Sequence, residues 1–122
     1  MADGEGRLNG AGAERLLHSK LLSNNYMWSD SYIFTSPVGI YGTKGKNGFG
    51  LSDMLGNVQE WCFEIYTTSD WQGEKHWGVL RGGSFTCLPG FLRCAQRYLS
   101  TPSEASVING IRVCLAPATR RW

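Results

Sequence analysis

The last third of the chain is built from short, firm posts separated by irregular filler. The posts are Val79-Leu80-Arg81-Gly82-Gly83-Ser84-Phe85, Leu92-Arg93-Cys94-Ala95-Gln96-Arg97 and Asn109-Gly110-Ile111-Arg112-Val113-Cys114. Each carries arginine, with five fixed donors that can anchor a loop, beside apolar residues that suit strand ends. Between them lie Thr86, Cys87 and Leu88, then Phe91, then Tyr98, Leu99 and Ser100, then residues 103–108. This filler is mixed in size and polarity and keeps neither the helical nor the strand period. A firm frame around free filler points to a scaffold that presents a surface. The functional question is whether that surface binds or catalyses.

Length and composition narrow the classes. A chain of 122 residues is expected to form one domain with a real core. An apolar fraction of 42% is too high for disorder. The net charge of +2, with no run of Lys or Arg, argues against a nucleic-acid partner. The longest apolar stretch is far below a membrane span. The opening Met1-Ala2-Asp3-Gly4-Glu5-Gly6 has no basic region followed by an apolar one, so no secretory leader is expected. Cys62, Cys87, Cys94 and Cys114 form no CxxC pair, which disfavours structural zinc. Cys62, Cys94 and Cys114 sit in apolar segments and read as small buried hydrophobes in the reduced state.

Along the chain, residues 1–11 read as a flexible lead-in. Ala13, Leu16, Leu17 and Leu21 share one face and predict a short amphipathic helix over residues 12–22. Met27 to Tyr41, broken by Pro37, reads as loop and edge strand. Ser52 to Asn57 reads as a helical turn ending at Gly56. Trp61, Phe63 and Ile65 alternate with polar neighbours and predict a strand over 58–66 with one buried face. Thr67 to Gly78 reads as a polar connection in which Trp71 and Trp77 either anchor the loop or stack on sugars. Residues 79–85, 92–97 and 111–115 supply further strand segments. The sum is an α+β domain, mostly antiparallel strands with long loops. His18 and His76 lie in unrelated segments, so hydrolase chemistry has no support. No glycine-rich phosphate loop precedes a helix.

Several stretches carry a resemblance. Residues 47–61, Asn47-Gly48-Phe49-Gly50-Leu51-Ser52-Asp53-Met54-Leu55-Gly56-Asn57-Val58-Gln59-Glu60-Trp61, resemble the NGFGLYDMxGNVWEW segment of the formylglycine-generating enzyme/sulfatase-modifying factor family. Val79 to Phe85 resembles its VLRGGSW, Gly110-Ile111-Arg112-Val113 its closing GFRV, and Asp30 to Val38 its DGYxxTSPVG. The resemblance covers about residues 24–116 and corresponds to the C-terminal half of the usual family domain. It implies a C-type-lectin-like fold, here in a minimal single domain over 1–122.

Two functional classes share this fold. One is the oxidase that converts a sulfatase cysteine to formylglycine, which this chain resembles in Ser84, Cys87 and Arg97. Its chemistry uses a copper ion held by two thiols, since soft thiolates select Cu(I). The second thiol would fall in Leu88-Pro89-Gly90-Phe91, which has none. The other class is the variable proteins of diversity-generating retroelements, which use the same frame and vary its filler. Mutating template adenines in AAY codons yields any residue except Glu, Lys, Gln, Trp or Met. Thr86, Cys87, Leu88, Phe91, Tyr98, Leu99, Ser100, Ser103, Ala105, Ser106, Val107 and Ile108 all pass that test.

The reading chosen from sequence is therefore a non-enzymatic display domain, with residues 79–116 as its variable region. Its partner would be a protein or glycan on a target surface, met from a viral particle or cell surface. The alternative is a truncated oxidase acting on a sulfatase cysteine through Cys87. The resemblance also implies calcium, with Glu60 giving a carboxylate and Leu55, Gly56 and Val58 giving carbonyls. Asp30 and the Tyr32 carbonyl resemble part of a second calcium site.

Overall fold

A long antiparallel hairpin organises the computed structural model, which describes residues 8–10 and 30–115. Its strands are β1 (Gln59–Asp70) and β2 (Gly73–Arg81). They pair from Glu60 opposite Arg81 to Asp70 opposite Gly73, with an irregularity between Trp61 and Ile65. Aromatic and β-branched residues from Trp61 to Thr68 favour the extended backbone. Trp71 and Gln72 make the two-residue turn. Asp70 pins the tip by accepting from the Gln72 N–H at 2.8 Å and from Lys75 Nζ at 2.7 Å.

Two short strands complete the sheet in the order β3-β2-β1-β4. β3 (Tyr98–Ser100) runs antiparallel to β2, with Leu80 opposite Tyr98 and Gly78 opposite Ser100. β4 (Asn109–Gly110) runs parallel to the start of β1. Two 3-10 turns, Gly42–Gly45 and Pro89–Phe91, are the helical elements among the described residues. Among the described residues the regular structure is thus mostly strand, a small sheet with few helices. Among the described residues no helix is long and apolar enough to cross a membrane.

Several sequence expectations change. The helix expected over 12–22 lies outside the described residues. Asn9 and Gly10, read as lead-in, are buried, and the Gly10 N–H donates to Asp30 Oδ2. Residues 30–41 hold no strand. The expected helical turn before Gly56 is instead a set of bends, with Asp53, Gly56 and Asn57 all at positive φ. The polar connection over 67–78 is the outer half of the hairpin. Residues 92–97 and 111–115 are not strand. Phe63 is 96% exposed and Ile65 66%, so the predicted buried face of β1 stops near Trp61.

The buried apolar residues are Val79, Leu80 and Phe85, whereas eight polar or charged residues are buried among those described. Hydrogen bonds therefore hold much of the interior, because buried polar groups without partners are costly. Phe34 meets Phe85 edge to face, with ring centroids 6.0 Å apart. Trp61 lies across Gly78, where any added Cβ would run into the indole.

Candidate functional site

The Gly82-Gly83 pair turns the chain off the end of β2. Both glycines have positive φ, 88° and 71°. A Cβ on Gly83 would collide with the Leu92 side chain and crowd Cys87. This turn drives Ser84, which is fully buried, beneath the next loop. The Cys87 N–H donates to the Ser84 carbonyl at 2.9 Å, closing a tight turn.

The turn folds the Cys87 thiol back on itself. The Ser84 N–H donates to Cys87 Sγ at 3.3 Å, and Ser84 Oγ lies 3.7 Å from the same sulfur. Ser84 Oγ is also 2.8 Å from Thr86 Oγ1. From β3, the Tyr98 hydroxyl comes within 3.4 Å of Sγ. That hydroxyl donates to the Phe91 carbonyl at 3.2 Å, which leaves the Cys87 S–H as donor to the phenol oxygen. Burial, and then the Cys87 sulfur beside it, raises the Tyr98 pKa and keeps the phenol protonated. The sulfur thus faces one backbone N–H and the hydroxyls of Ser84 and Tyr98. That is a half-buried thiol with donors in place, suited to nucleophilic or soft-ligand chemistry.

Of the oxidase-like residues, the structure brings Ser84 and Cys87 together but not Arg97. Arg97 pairs with Glu64 on the hairpin at 3.3 Å. The sequence reading missed Tyr98 as a thiol partner. The filler residues divide by exposure. Phe91, Leu99, Ser103, Ala105, Ser106 and Val107 are exposed. Thr86, Cys87, Leu88, Tyr98 and Ile108 are half-buried, and Ser100 is buried with its hydroxyl on Glu104. The Ile108 carbonyl accepts from the Gln59 N–H, so it belongs to the frame. The posts are not uniformly buried either, since Arg93, Cys94, Ile111, Arg112, Val113 and Cys114 are exposed. Cys94 and Cys114 are therefore not the buried hydrophobes expected, and Cys62 is only half-buried. Trp71 is 91% exposed and anchors no loop.

Of the residues proposed for the first calcium site, Glu60 already has a partner for its carboxylate. Arg112 Nε donates to both Glu60 oxygens, at 3.0 and 2.9 Å, and Arg112 Nη2 donates to the Ser52 carbonyl at 2.9 Å. The Gly56 N–H donates to the Gly82 carbonyl at 2.9 Å, which ties this bend to the glycine turn. Asp30 accepts from the Gly10 and Tyr32 N–H groups. A hard cation needs several uncommitted oxygens, and the Glu60 carboxylate would have to leave Arg112 to serve one.

Arg112 is instead a structural post, clamping the C-terminal segment to β1 and to the 52–53 loop. Arg112→Ala should lower stability by about 1–2 kcal/mol after solvent screening of this partly exposed pair. A urea melt measures the loss. An unchanged midpoint would mean that the clamp contributes nothing. Arg93 was expected to be a post of the same kind, but its guanidinium bonds locally, to Gln96 Oε1 at 2.8 Å.

Comparison with known proteins relates the sequence to one family. Residues 7–117 match the sulfatase-modifying factor enzyme 1-like domain. The chain is 33% identical over 96 residues to serine/threonine-protein kinase pkn1 of Chlamydia pneumoniae, covering 69% of this chain and 16% of that protein. It is 30% identical over 105 residues to formylglycine-generating enzyme of Thermomonospora curvata, covering 72% and 33%. It is 32% identical over 94 residues to hercynine oxygenase of Mycolicibacterium smegmatis, covering 64% and 22%. The chain thus spans a third or less of the length of these relatives. No solved structure matches it. These relatives carry enzyme names, which favours the oxidase alternative over the display reading and conflicts with the expectation of a non-enzyme. From the NGFG-to-Trp61 bend through the Ser84–Cys87 turn to Arg112, this chain belongs to the family of sulfatase-modifying factor enzyme 1-like domains.

Proposed function

We propose that this chain is the thiol-bearing part of a formylglycine-generating-type oxidase with a C-type-lectin-like fold, and that Cys87 engages the cysteine of a sulfatase-type peptide. The observation that carries this reading is the Cys87 thiol itself, held by Ser84 and Tyr98 in the Gly-Gly-Ser turn. Formylglycine-generating enzymes among the relatives support the substrate class. The copper ion implied by such chemistry does not fit the described residues. Cys87 stands as a single soft ligand, residues 88–91 add none, and among the described residues no three His, Cys, Asp or Glu side chains converge. The chain's own part is to position a thiol and admit a peptide cysteine beside it.

Thiol–disulfide exchange tests this directly. The probe is a cysteine peptide with a sulfatase motif, carried as its thiopyridyl mixed disulfide. The Cys87 thiolate attacks the peptide sulfur, a protein–peptide disulfide forms, and thiopyridone leaves. Capture at Cys87 should exceed that of a scrambled peptide by about tenfold or more, and Cys87→Ser should remove the difference. Equal capture of both peptides would overturn the reading.

A second reading, the retroelement-type display surface, has one supporting observation. Phe91, Leu99 and Ser103 to Val107 are exposed. Its ligand would be a protein or glycan, and the apolar anchors would be Phe91, Leu99 and Tyr98. Recovery of varied sequences at these positions in otherwise identical genes is its test.

A further inference from the structure

Three of the four cysteines do not belong to the Cys87 site, yet all three open onto one cavity. It has a volume of about 570 Å³, within the range of small-molecule sites. Cys62, Cys94 and Cys114 line it, together with Met54, Leu55 and Trp61. Ser84 and Cys87 are not among its lining residues. The sulfurs do not converge as a metal site would require. The walls are mainly apolar and soft, which suits a polarizable organic body.

The cavity also has a cationic wall. Of its two arginines, Arg112 is held by Glu60 and Ser52 through Nε and Nη2. Arg81 is not held in that way. Its contacts with Glu64 and with the Ala95 carbonyl are both 3.5 Å, at the limit for a hydrogen bond. It also lies beside Cys62, whose thiol pKa is raised by burial against the opposing effect of this guanidinium. A planar guanidinium with long contacts, lining the same cavity as Trp61, Met54 and Leu55, can turn its fork to a ligand carboxylate with little loss.

We propose that this cavity is a binding site for a small amphipathic anion, its apolar body against Met54, Leu55 and Trp61 and its carboxylate on Arg81. The site is separate from the Cys87 thiol and does not depend on peptide capture there.

The three thiols report on the site. The probe is 1-naphthoate, with neutral 1-naphthamide as its uncharged counterpart. Iodoacetamide labelling is followed by mass spectrometry at each cysteine. Naphthoate should slow alkylation of Cys94 and Cys114 by about fivefold or more at saturation while leaving Cys87 unchanged. Titration calorimetry should show naphthamide binding about tenfold more weakly, the loss of a charge-assisted pair. Arg81→Met should bring the acid down to the amide's affinity, and Arg81→Lys should keep part of the preference. The wild-type comparison of acid and amide decides the matter even if a variant fails to fold. Absence of naphthoate binding, equal affinity for acid and amide, or protection spread equally over Cys87 would each overturn the proposal.

Discussion

Gly56→Ala is expected to lower stability by about 3–5 kcal/mol. Gly56 has φ +81°, where a side chain is strained, at about 1–2 kcal/mol for a non-glycine residue. The larger cost is steric. A Cβ at this position would be driven into the backbone carbonyl of Asn9, which cannot swing aside as a side-chain end could. Moving that carbonyl would break its 2.8 Å bond from the Asn57 N–H, and moving Gly56 would break the bond from its N–H to Gly82. Strain and lost bonds together come to about 3–5 kcal/mol, a large share of a small domain's whole stability. Gly48→Ala is the matched control. Its Cβ meets nothing within 4 Å and its φ is not positive, so its effect should stay within about 0.5 kcal/mol. Circular dichroism melts compare the two, and similar midpoints would refute the close approach.

How far the sequence revealed this arrangement depends on where side chains met a core. The 58–66 strand was legible because Trp61 and its neighbours keep the period of two. Its continuation to Asp70 was not, since Thr67, Thr68 and Ser69 are exposed and carry no buried face. Those residues hold the hairpin by cross-strand pairs instead, Thr67 with His76 at 3.0 Å and Trp77 Nε1 donating to Thr68 at 3.2 Å. Residues 92–97 looked like strand on local composition, but the pairing edge of β2 is filled from Tyr98 onward. The family was legible from contiguous motifs. The thiol site was legible only in part. Ser84 and Cys87 lie in one turn, whereas Tyr98 reaches the sulfur across eleven residues with no periodic signal. The Glu60–Arg112 clamp spans 52 residues and was equally silent.

Asn57→Ala is the second large effect, because one buried side chain joins segments far apart in sequence. Asn57 Oδ1 accepts from the Ser36 N–H at 2.9 Å, and Asn57 Nδ2 donates to the Ser36 carbonyl at 3.2 Å. Its backbone completes the junction, receiving from Phe85 N–H at 2.9 Å and donating to Asn9. Its φ of +61° is a conformation that asparagine tolerates better than alanine. Truncation would strand two buried groups of Ser36, at about 1–3 kcal/mol each, and add strain. The expected total is about 3–5 kcal/mol. Asn57→Gly separates the terms, since it relieves φ while losing the same bonds. It should recover about 1 kcal/mol of the loss. The Phe85 bond makes the effect reach the thiol, because Phe85 sits inside the Ser84–Cys87 turn. Iodoacetamide should therefore label Cys87 faster in Asn57→Gly than in wild type at a temperature where both remain folded. An unchanged rate would mean that the thiol turn is set by Gly82 and Gly83 alone, with the Asn57 junction contributing stability but not placement.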